Sequence, residues 1–104
     1  MKGNLDKLKP CILEVAKKLE AYLGTEITVT SGYRDPAKNM AVGGVKGSAH
    51  PLGDAVGIAC TDSATRFKIV AWALAHGVTR VGVAKTFVHM DTSPTHPQSV
   101  LWLY

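Results

Sequence analysis

The sequence predicts a single α+β domain in which two main helices pack on a small, mostly antiparallel sheet. Three observations predict it. Two stretches carry apolar residues at helical spacing, several short stretches have strand character, and the 104 residues contain neither a linker nor an internal repeat. A chain of this length sits at the lower end of the single-domain range, so residues 1–104 are expected to share one modest core.

Leu5, Leu8, Ile12, Val15, Leu19 and Tyr22 recur at steps of three and four and define the first helix, which Gly24 closes. Pro10 falls inside that pattern and suits a first helical turn, so the regular helix is expected to begin near it. Thr25 to Thr30 alternates Ile27 and Val29 with polar residues, as a half-buried strand does. Asp35-Pro36 reads as the cap and first turn of a short helix to about Met40. The glycine-rich stretch Gly43 to Gly47 lacks the G-K-[ST] ending of a phosphate loop. Ala55 to Cys60 is a short apolar strand. Asp62 or Ser63 caps a second long helix, with Phe67, Val70, Ala71 and Leu74 on one face and Gly77 at its end. Strands are then expected over Thr79 to Ala84, Phe87 to Asp91 and Val100 to Tyr104.

Composition narrows the function classes. The chain is 46% hydrophobic and 19% charged, an ordinary globular balance. No apolar run approaches the roughly 18 residues of a transmembrane helix, and the N-terminus lacks a signal-type apolar segment, so the chain as written reads as cytoplasmic. A net charge of +4 favours an anionic partner, but the basic residues are scattered and not interleaved with aromatics, which argues against nucleic acid. Cys11 and Cys60 have no C-x-x-C spacing, which excludes a thiolate zinc site and leaves both as small buried apolar residues. His76 suits a helix C-terminus, and His96, before Pro97, suits a loop.

His50 and His89 stand apart because of their neighbours. The segments Ser31-Gly32-Tyr33-Arg34, Gly43-Gly44-Val45-Lys46-Gly47-Ser48-Ala49-His50-Pro51-Leu52-Gly53-Asp54-Ala55 and Phe87-Val88-His89-Met90-Asp91 occur in this order. From about Thr30 onward the chain resembles the zinc peptidases of the D-alanyl-D-alanine carboxypeptidase and L-alanyl-D-glutamate endopeptidase family, whose fold is of the hedgehog type. That resemblance implies zinc-dependent hydrolysis of peptide bonds in peptidoglycan stem peptides. It further implies His50 and His89 as zinc ligands, Arg34 as the group meeting a substrate carboxylate or oxyanion, and Tyr33 and Ser48 as substrate contacts.

One position departs from the pattern. The family reads S-x-H-x-x-G-x-A-x-D, and its final aspartate, the third ligand, is Gly57 here. Three protein ligands leave one tetrahedral position for a water that the metal acidifies, and glycine supplies none. Asp54 faces away from position 57 if the segment is extended. Asp91, two residues beyond His89, shares its face and is the candidate to complete the site or to act as the catalytic carboxylate. Two readings follow: an impaired zinc peptidase, or an inactive cell-wall-peptide-binding protein, natural or engineered at Gly57. Either is expected as a monomer that meets the wall after release or with a leader removed.

Overall fold

The computed structural model describes residues 1–31 and 53–104. Its strands are β1 (Lys2–Gly3), β2 (Thr28–Ser31), β3 (Ala55–Ala59), β4 (Arg80–Val83), β5 (Phe87–Asp91) and β6 (Val100–Leu103), and its helices are α1 (Pro10–Leu23) and α2 (Ser63–Ala75). The expected helix at 35–40 and the glycine-rich stretch lie outside the described residues.

The strands form one sheet in the order β1-β2-β3-β5-β4-β6. The sheet is mixed, which corrects the expectation of a mostly antiparallel one. The three inner pairings are antiparallel, but β1 joins β2 and β6 joins β4 in parallel. Each outer pairing has a physical cause in its connection. Helix α1 carries the chain from β1 back to β2, and after β5 the chain crosses β4 to its far side as β6, so both arrive in the direction of their partner. Residue alternation, which reports faces, carries no such information about direction.

Both helices lie on one face. Ile12, Ala16 and Leu19 of α1 and Ile69, Trp72 and Ala73 of α2 meet Val29, Val56, Ile58, Val81, Val88 and Met90 from the strands. Helix α1 begins at Pro10 and ends at Gly24 in the left-handed conformation, φ 70°, as its punctuation implied. Asp62 caps α2 by accepting the Thr65 N–H at 2.9 Å. Of the face expected to line α2, Val70 packs against the core but Phe67 and Leu74 are turned outward, 75% and 54% exposed, while Ile69 and Ala73 are fully buried. Two apolar stripes run along this helix, and spacing alone did not separate them. His76 caps its end, with Nδ1 2.8 Å from the Trp72 carbonyl and its ring stacked on Trp72. Cys60 is buried but Cys11 is exposed, because position 11 of α1 turns away from the sheet.

Two stability tests follow. Ile69→Ala is expected to cost about 2–5 kcal/mol in urea unfolding, whereas Phe67→Ala should stay within about 0.5 kcal/mol. The Asp62 carboxyl lies below its ordinary pKa, chiefly through the Thr65 backbone hydrogen bond. A carboxylate depressed in the folded state stabilises above its unfolded pKa and loses that effect as pH falls through the folded one. The thermal midpoint of Asp62→Ala should therefore fall below that of the parent at neutral pH and converge on it in acid.

Candidate active site

Alternation along β5 divides its side chains between two tasks. Val88 and Met90 enter the core beneath the helices, while His89 and Asp91 occupy the opposite face. Both are nonetheless buried, His89 at 3% exposure and Asp91 at 1%.

Asp91 is held by three groups. One carboxylate oxygen lies 2.6 Å from His89 Nε2, and the other accepts from Arg80 Nε at 2.7 Å and from the Ser93 N–H at 3.2 Å. Burial pushes the Asp91 carboxyl up, but the His89 hydrogen bond, the charges of His89 and Arg80, and the Ser93 N–H together bring it below its ordinary value. An ionised carboxylate only accepts hydrogen bonds. The proton between the two residues therefore belongs to His89 Nε2, and in the neutral ring Nδ1 is the nitrogen with a lone pair. Metal-binding histidines are commonly oriented in this way by a carboxylate on the other ring nitrogen.

Arg80 also donates to the Pro97 carbonyl at 2.6 Å and lies over the Trp102 ring, 5.2 Å from its centroid. Trp102 in turn sits beside His89, with ring centroids 5.1 Å apart. Gly82 makes this approach possible: a Cβ there would fall 2.5 Å from the Trp102 indole nitrogen, nearer than any real contact. Sequence reading placed Trp102 on the last strand but found no link to His89, since only the register brings them together.

Gly57 is the direct cross-strand partner of His89, and Ser31 is the partner of Gly57. One row therefore runs Ser31, Gly57, His89, Gly82, Trp102 across five strands. A bulge sets the β2 end of this row. Val29 pairs with Ile58 but Ser31 with Gly57, so two residues of β2 span one of β3 at Thr30, whose hydroxyl donates to the Gly57 carbonyl at 3.2 Å.

Asp54 faces elsewhere, its carboxylate 3.5 Å from Lys9 Nζ. Gly53 before it has φ 75°, and a Cβ would lie 2.6 Å from the Lys7 carbonyl oxygen, so glycine is needed to turn the chain into β3. His96 lies in the β5–β6 loop with Nδ1 2.5 Å from the Ser93 hydroxyl. Tyr33, Arg34, Ser48 and His50 lie outside the described residues. Among the described residues no three metal-binding side chains cluster, and His89 is the imidazole that this face offers.

The family model for peptidase M15 matches residues 2–91. The chain belongs to the peptidase M15 family. Its members are generally zinc-dependent. The match takes in both histidine segments and position 57. No curated protein and no solved structure matches the chain. The donor set among the described residues, with His89 as its imidazole, falls short of the three protein ligands of a catalytic zinc.

The Asp91 network makes its own prediction. Asp91→Ala leaves the Arg80 guanidinium, whose side chain is 11% exposed, without its buried counter-charge. The expected loss is about 3–5 kcal/mol in urea unfolding, as for other broken buried pairs.

Proposed function

We propose that this M15 protein acts on the stem peptides of bacterial peptidoglycan, as a zinc-dependent peptidase whose hydrolysis is impaired by Gly57. The observation that carries the reading is the pairing of Gly57 with His89. Residues directly opposite on antiparallel strands have Cβ atoms about 4.5–5.5 Å apart and project from the same face. A carboxylate at position 57 would thus stand beside the imidazole, where the family pattern has its aspartate. Glycine removes the ligand and leaves the strand pairing in place.

In this reading His50 and His89 are the ligands that remain, with His89 offering Nδ1 because Asp91 holds Nε2. Asp91 orients His89, and its engagement by Arg80 and Ser93 favours this over service as a substitute ligand. Arg34 meets a substrate carboxylate or developing oxyanion, a role suited to a permanently charged planar fork. Tyr33 and Ser48 contact the peptide. The substrate lies in the cell wall.

The missing ligand also favours a second reading, a protein that binds stem peptides without cutting them. Gly57→Asp separates the two. The impaired-peptidase reading expects the substituted protein to retain zinc through gel filtration and to release fragments from muropeptides, with the unaltered chain doing both poorly. Equal zinc content and equal hydrolysis in the two proteins would show that another residue completes the site. A substituted protein that holds zinc, binds muropeptides and releases no fragments would favour the binding protein.

A further inference from the structure

A strand sets which face a histidine occupies but not how its ring is turned. The last torsion of the side chain is broad and close to two-fold, so an imidazole can turn over and exchange the places of its two nitrogens. What fixes His89 must come from its neighbours. The Asp91 carboxylate meets it at Nε2, 2.6 Å away, and the Trp102 indole lies beside it with ring centroids 5.1 Å apart.

Both of these neighbours are held by one side chain. Arg80 stands directly across from Asp91 on β4 and places Nε 2.7 Å from Oδ1, the carboxylate oxygen that His89 does not use. A carboxylate turns about its own last torsion as freely as an imidazole, so fixing Oδ1 from β4 keeps Oδ2 aimed at the ring. The Ser93 N–H supports the same oxygen at 3.2 Å. The Arg80 guanidinium also lies over the Trp102 ring, 5.2 Å from its centroid, and donates to the Pro97 carbonyl at 2.6 Å. A planar fork with a flat face can bond in its plane and stack above it at once; a lysine ammonium has one nitrogen and no face. Pro97 and Trp102 lie beyond residues 2–91, so the family match gives them no part in the site.

We propose that Arg80 is a positioning residue for His89, holding the imidazole in one orientation through Asp91 at its edge and Trp102 at its side. It acts through these two groups and not on a substrate. The use made of that orientation rests on the peptidase reading above, in which His89 offers Nδ1; the orientation itself rests on the contacts just described.

The test reads the imidazole directly, by nuclear magnetic resonance of the full chain with isotope-labelled histidine. In the unaltered protein the His89 Nε2–H is expected as a separate proton signal that exchanges slowly with water. Arg80→Gln should speed that exchange about tenfold or more, as loss of a hydrogen bond to a charged group allows local opening, while the backbone amide signals of Val88 and Met90 stay in place. Arg80→Lys keeps the charge without the fork and should also exchange faster than the parent. Trp102→Leu removes the other contact and should give a smaller increase. Ile69→Ala weakens the core on the opposite face and serves as the control, with parent-like exchange at His89 expected. Parent-like exchange in both Arg80 variants would overturn the proposal. An equal increase in Ile69→Ala would do so too, by showing that Arg80 acts only through overall stability. If Arg80→Gln does not fold, Arg80→Lys and Trp102→Leu carry the same comparison. No peptide or metal enters these measurements, so their failure leaves the peptidoglycan reading standing, and failure of Gly57→Asp to restore hydrolysis leaves the orientation of His89 untouched.

Discussion

The buried carboxylate of Asp91 is the interaction on which the rest of this face depends. A charge taken out of water must be repaid by partners, and here the partners come from separate parts of the chain. Arg80 brings β4, Ser93 brings the start of the β5–β6 loop, and His89 is fixed from its own strand. Arg80 extends the network to Pro97 and Trp102. One acidic side chain thereby organises both His89 and the edge strand that flanks it.

The sheet and the chemistry are separable in this molecule. Val88 and Met90 hold β5 in the core, and their packing does not involve position 57. His89 is oriented by Asp91 and flanked by Gly57 and Gly82, so the imidazole is held without any side chain from its two cross-strand neighbours. The match to the peptidase M15 family across residues 2–91 covers all of β1 to β5 and so rests on this pairing.

Much of the fold was legible because local signals agreed with it. Pro10 and Gly24 bounded α1, Asp62 capped α2, and β5 ran from Phe87 to Asp91 as expected. Three features were not legible, each for a physical reason. Strand direction leaves no trace in alternation, so the two parallel edges were missed, and β1 is too short to show a period. Phe67 and Leu74 share a helix with a second apolar stripe, and only the packing chose Ile69, Trp72 and Ala73. At the candidate site, motif spacing singled out His89, Asp91 and Gly57, and alternation paired His89 with Asp91. The contributions of Arg80 and Trp102 depend on cross-strand register, which neither spacing nor alternation encodes.

The irregularity at Thr30 bears on how such a domain tolerates change. With regular pairing Ser31 would stand opposite Val56, a core residue; the extra residue moves it opposite Gly57 instead. Ser31 thus stands in step with the His89 row, and Gly32, Tyr33 and Arg34 come next in the sequence. Removing one residue from β2 would move Ser31 out of that row while leaving the composition of the strand almost untouched. The number of residues in this short segment is therefore a constraint in its own right, one that comparison of residue types alone would overlook.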